Sequence, residues 1–104
     1  MAEQKIFFRK DGITVIFDEG VGTDRIKTLD LTARDIQQIT IEPCCQTRLF
    51  NKMNSERIKI KTGRTVHPII YYREEEKDFF FEYKLGLRRF ARDNHLKIDD
   101  RVDL

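Results

Sequence analysis

The sequence has no tryptophan, a single serine (Ser55) and only two prolines, Pro43 and Pro68. Ser- or Pro-rich linkers and low-complexity tracts are therefore excluded. Apolar runs are short, as in Phe79-Phe80-Phe81, and none approaches the roughly 20 residues of a membrane-spanning helix. Met1 to Lys10 carries charges but no apolar core of the kind a signal peptide needs. No repeat of solenoid period is present. Cysteine is equally scarce: Cys44 and Cys45 are the only two, and they are adjacent. Neighbouring Cα atoms lie about 3.8 Å apart, below the usual disulfide span of about 4.4–6.8 Å. The pair reads as two thiols on opposite faces of one strand, one buried and one not, in a reducing compartment. A cytoplasmic location is the expectation. An excess of one charge is also missing, since 20 basic residues nearly cancel 18 acidic ones for a net +2.

What is present is enough for a core. Leu, Ile, Val and Phe make up 31 of the 104 residues, well above the roughly 20% at which highly charged chains stay disordered. The 37% of charged residues is then a solvated surface. The length suits one domain, expected over residues 1–96, with residues 97–104 as a loose extension.

Two-thirds of the chain alternates like strands. Lys5–Arg9 is a short apolar run closed by the hairpin dipeptide Asp11-Gly12. Ile13–Asp18 places Ile13, Val15 and Phe17 on one face. A loop of Gly20, Gly22 and Asp24 precedes Arg25–Leu31. Asp35–Glu42 sets Ile39 and Ile41 together, and Thr32 to Asp35 can form one helical turn capped by Thr32. Pro43 predicts a strand end or an edge bulge, and Cys44–Phe50 a further strand. Asn51–Ser55 has turn chemistry. In Glu56–Lys61, Ile58 and Ile60 point in while Arg57, Lys59 and Lys61 point out. Thr62-Gly63 reads as a hairpin turn before Thr65–Arg73, which Pro68 marks as an edge or bulged strand.

After Glu74-Glu75-Glu76 the period becomes helical. Asp78 is the expected N-cap. Phe80, Tyr83, Leu87, Phe90, Ala91 and Asn94 fall on one face, with Phe79 or Phe81 as a further anchor. Lys84, Arg88 and Arg92 form a basic stripe at i, i+4 spacing. Gly86, costly inside a helix, predicts a close approach to the sheet. Asn94 or His95 ends the helix. The fold class is mainly β with one C-terminal α-helix: about seven antiparallel strands in a curled sheet or barrel capped by that helix.

In that order of elements the chain resembles the pleckstrin-homology-like superfold, in particular small bacterial PH-like and GRAM-like domains. The segments Asp35–Glu42, Glu56–Tyr72 and Asp78–Asn94 carry the resemblance. It implies a non-catalytic module with no catalytic residues to transfer. Phosphoinositide-binding members place basic residues where this chain has Lys5, Arg9 and Lys10, here interleaved with Asp11, Asp18 and Glu19.

Other chemistries lack their residues. Gly20-Val21-Gly22 has no third glycine and precedes a strand pattern, which excludes a dinucleotide loop. Cys44, Cys45, His67 and His95 lack the paired spacing of a zinc site, so neither metal nor cofactor is expected. An enzyme built on Cys44 or Cys45 would lack any recognisable nucleophile motif. The strongest charge feature is Arg48–Arg64, with six basic residues against Glu56 alone. Arg57, Lys59, Lys61 and Arg64 within it read either as a solvated protective edge or as a phosphate-binding face. The leading expectation is an intracellular binding or assembly module that recognises a protein partner or itself. It would use an edge at Arg57, Lys59 and Lys61, or a groove at Lys84, Arg88 and Arg92. The alternative is an anion binder for a phospholipid headgroup or nucleic acid through the same basic residues.

Overall fold

The computed structural model describes residues 3–20, 25–48 and 51–102, and for residues 46–48 and 51–53 the backbone alone. Gly22 and Asp24 of the expected loop and Leu49 and Phe50 of the expected strand lie outside the described residues. The chain is mainly β, with one helix near its C-terminus. In chain order come β1 (Ile6–Phe8), β2 (Gly12–Asp18), β3 (Ile26–Thr32), β4 (Ile36–Arg48), β5 (Asn51–Thr62), β6 (Ile69–Tyr72), α1 (Phe80–Asp93) and β7 (Ile98–Asp100). The first three strands form one antiparallel sheet in the order β1-β2-β3. A second sheet has the order β6-β5-β4-β7, antiparallel except for the β4–β7 pair.

The barrel does not close. Among the described residues no ladder joins β3 to β4 or β1 to β6. One reason is the 3-10 turn Ala33–Asp35 between β3 and β4, at the place where Thr32 predicts a helical turn. Its Asp35 carboxylate accepts the Thr32 N–H at 2.9 Å and the Thr32 hydroxyl at 3.2 Å. That local bonding ends the β3 ladder before the chain enters the second sheet.

Alternation places the core as the sequence predicts. Ile13, Val15 and Leu31 of the first sheet, Ile39, Ile41, Ile58 and Ile60 of the second, and Leu87 of α1 are fully buried in one cluster. Each such side chain contributes about 1.5–3 kcal/mol. Phe80, Tyr83, Phe90 and Ala91 complete the helix face, and Phe79 rather than Phe81 is its flanking anchor. Asp78 does not cap the helix. Phe79 holds the N-cap position, and the N–H groups of Phe79 and Phe80 reach the Glu76 carbonyl at 3.0 and 2.8 Å.

Three segments differ from their sequence reading. Of the two expected strands Asp35–Glu42 and Cys44–Phe50, the described parts merge through Pro43 into β4, Ile36–Arg48, since β7 ends opposite Ile41 and that flank of Pro43 has no ladder to lose. The turn residues Asn51–Ser55 belong to β5, paired with β4 as far as Arg48 opposite Asn51. Within the expected loose extension, residues 98–101 are held to the second sheet. Ile98–Asp100 pairs with Ile39–Ile41, and Arg101 N–H donates to the Ile41 carbonyl at 2.8 Å.

Gly86 makes the predicted close approach, against Phe8 of β1: a Cβ there would overlap the Phe8 ring. Gly86→Ala is therefore expected to lower stability by about 1 kcal/mol, despite alanine's similar advantage in helix propensity. With Phe8→Ala in place, the same substitution should instead raise stability by about 1 kcal/mol. Urea unfolding of the four proteins decides. A stabilising Gly86→Ala in the native background means that Phe8 does not pack on the helix.

Candidate functional site

The basic residues singled out by the sequence have dispersed roles. β5 is not an edge: over Arg57–Ile60 it is paired on one side with β6 and on the other with β4. Two of its outer cations, Arg57 and Lys59, meet a carboxylate. Glu42, directly opposite Arg57, takes the Arg57 guanidinium at 3.3 Å and the Lys59 ammonium at 3.6 Å. The Glu42 hydrogen bond raises the Arg57 pKa further above its already high value. Arg64 lies 3.5 Å from the Asp35 carboxylate and reaches the Asp30 carbonyl at 3.4 Å. Lys61 is exposed and makes no ion pair among the described residues.

The helical stripe separates in the same way. Lys84 is only 6% exposed and donates to Glu56 at 2.7 Å, while Arg73 binds the other oxygen of that carboxylate at 3.0 Å. Arg88 donates to Asp100 at 2.6 Å and to the Val102 carbonyl at 3.1 Å, which fastens β7 to the helix. Burial alone would raise the Asp100 carboxyl pKa. The hydrogen bonds from Arg88 and the Val102 N–H outweigh it and hold the group below the ordinary carboxylate range. Arg92 is exposed, 3.5 Å from Asp93. No shared basic groove results. The signal for this pairing was the lone acid of the basic stretch, Glu56.

Cys44 is half-buried and Cys45 exposed, both as free thiols. Burial pushes the Cys44 thiol up, away from the thiolate a nucleophile needs. Among the described residues no group of three His, Cys, Asp or Glu side chains is placed to hold a metal, and no helix is long and apolar enough to cross a membrane.

β6 is one of four edge strands among the described residues, with β1, β3 and β7. Arg73 N–H donates to the Glu56 carbonyl at 2.9 Å, so this pair faces across the β5–β6 ladder. Antiparallel alternation then makes Tyr71–Ile58 and Ile69–Ile60 the bonded pairs and turns the backbone groups of Ile70 and Tyr72 outward. The Tyr72 carbonyl is taken by the N–H groups of Glu75 and Glu76. The Ile70 N–H, the Ile70 carbonyl and the Tyr72 N–H have no backbone partner among the described residues and form a short template for another strand. Pro68, just before β6, adds no donor.

This edge borders a groove of about 890 Å³, walled by β6, the end of β2 and the residues preceding β1. Seven large apolar side chains are exposed among the described residues, and three of them, Ile26, Val66 and Ile70, line it. Tyr71 fixes its floor by donating to the Ile16 carbonyl at 2.7 Å, a side-chain bridge in place of a ladder between β6 and β2. The Tyr83 ring lies 6.0 Å from that of Tyr71, and its hydroxyl accepts the Lys5 N–H at 2.7 Å. Burial pushes both phenols up, so neither ionises near neutral pH. Lys5 also donates to the buried Glu76 carboxylate at 2.7 Å, a bond that raises the Lys5 pKa. These residues join through space segments that are distant in sequence, which is why no local pattern pointed to them.

A second cleft of about 980 Å³ lies between the β1–β2 turn and the helix. Arg9, Lys10 and Arg89 line it together with Asp11 and Asp93. Arg9 is already held by Thr14 at 2.6 Å and Asp30 at 3.2 Å. The cleft lining carries three cations and two carboxylates. Compared with known proteins, the chain matches no family model, no curated protein and no solved structure.

Proposed function

We propose that the chain is a non-catalytic, PH-like interaction module of the cytoplasm that binds a protein partner by adding an extended segment of it to β6. The observation that carries this reading is the outward-turned backbone of Ile70 and Tyr72 beside a groove with exposed apolar side chains. Strand addition derives affinity from main-chain hydrogen bonds and specificity from alternate side chains. Among the described residues no ladder joins β6 to β2, which the Tyr71 hydroxyl bridges instead, and this leaves room for an added strand. The adjacent free thiols support the reducing compartment. Anion binding is the weaker reading, because Glu42 and Asp35 already engage Arg57, Lys59 and Arg64.

The test is selection of random peptides displayed against the immobilised chain, followed by Ile70→Pro. The Ile70 N–H points away from β5, so proline there removes a groove donor and leaves the β5–β6 ladder. Selected peptides are expected to lose about tenfold in affinity to Ile70→Pro, as befits one lost hydrogen bond and a displaced edge. Unchanged affinity places their site elsewhere and overturns the proposal.

A further inference from the structure

We infer that the segment taken up beside β6 is basic, with apolar side chains alternating with Lys or Arg; this rests on the reading of β6 as a strand-addition edge. The groove is lined by five carboxylates, Glu3, Asp18, Glu19, Glu75 and Glu76, against the single lysine Lys5. Two of the five are engaged. Glu76 binds Lys5 at 2.7 Å, and Asp18 faces Arg25 at 3.8 Å while accepting the Gly20 N–H at 2.7 Å. Glu3, Glu19 and Glu75 are exposed and make no ion pair among the described residues. A chain of net charge +2 therefore gathers unpaired negative charge around its open strand edge.

The geometry sets how a basic segment is read. Side chains of an added strand alternate between two faces. Every second one continues the face of Ile69 and Tyr71 toward Ile16 and Phe17, where an apolar side chain fits. The others follow Ile70 and Tyr72 to the outer side or reach the ends of the edge. There Glu19 follows β2 and Glu75 follows β6, within the same groove wall. An acidic segment would meet like charge along the whole rim. A neutral one would gain the main-chain bonds and forgo the attraction. The rim is solvent-exposed, so its contribution lies in selectivity and encounter rate and is screened by salt.

The test uses one extended peptide, alternating valine and threonine with a variable residue, made with Lys, Gln or Glu at the same variable positions. Binding is followed by the amide resonances of the full chain. The Lys form is expected to bind about tenfold tighter than the Gln form at low salt and the Glu form weakest, the difference shrinking as salt rises. In the variant Glu3→Lys, Glu19→Lys, Glu75→Lys, checked for an unchanged circular dichroism spectrum, the order should reverse. Equal affinity of the Lys and Gln forms, with Ile69–Tyr72 still responding, overturns the basic occupant and leaves strand addition standing. No response of Ile69–Tyr72 to any form overturns both. Concentration-dependent dimerisation of the chain alone that shields the same amides makes a second copy the occupant and overturns the basic segment.

Discussion

Glu56→Ala is expected to cost about 3–5 kcal/mol of stability, since removing one partner of a buried ion pair leaves the other charge uncompensated. Lys84 is that other charge. Its ammonium lies 2.7 Å from Glu56 on the core side of the helix and 5.9 Å from the Phe80 ring, at 6% exposure. Arg73 also loses its partner, but at 40% side-chain exposure it can turn into water. Adding Lys84→Met removes the stranded cation and replaces it with an apolar side chain of similar reach. The double substitution should therefore recover most of the loss. Urea unfolding followed by circular dichroism measures both. A loss below about 1 kcal/mol, or no recovery in the double variant, would show that Lys84 reaches water. The consequence extends to the groove, because Glu56 ties α1 to β5 and to Arg73, directly after β6.

Tyr83→Ala should cost a similar amount, about 3–5 kcal/mol, the usual range for truncating a buried aromatic residue. Tyr83 is 1% exposed, stacks on Phe79 at 6.2 Å and meets Tyr71 at 6.0 Å. Its hydroxyl is a separate contribution. Tyr83→Phe keeps the ring and leaves the Lys5 N–H without its acceptor, for an expected loss of about 1–2 kcal/mol. The split between the two substitutions is the informative quantity. If Tyr83→Phe is as stable as the native chain, the N-terminal segment is not anchored through that bond, and this wall of the groove is free to move.

Features resting on local periodicity were legible in the sequence. Alternation in Glu56–Lys61 placed Ile58 and Ile60 in the core. The three-four spacing from Phe80 placed the buried helix face, Thr32 and Asp35 marked their turn, and Gly86 marked a tight contact. Features that depend on which strands become neighbours were not. Nothing in three residues at Ile98–Asp100 shows that they will lie parallel to β4. The alternation that exposes Arg57, Lys59 and Lys61 is the same in an edge strand and an interior one, so β5 read as an edge until β4 and β6 flanked it. Likewise the i, i+4 stripe of Lys84, Arg88 and Arg92 contains no sign that Glu56 and Asp100 will bury or pin two of its members. The groove is the extreme case. Its acids come from before β1, the end of β2 and the stretch after β6, and only tertiary structure collects them.

The proposed role of β6 is to take up a further strand. The most direct measurement is hydrogen exchange of the Ile70 and Tyr72 amides, read by NMR with and without a selected peptide. Both N–H groups face away from β5 and should exchange readily in the free chain, then slow by about tenfold or more when a peptide strand accepts them. The Tyr71 amide, already bonded to β5, serves as the internal control. A bound peptide that leaves Ile70 and Tyr72 exchanging as in the free chain would contradict the claim.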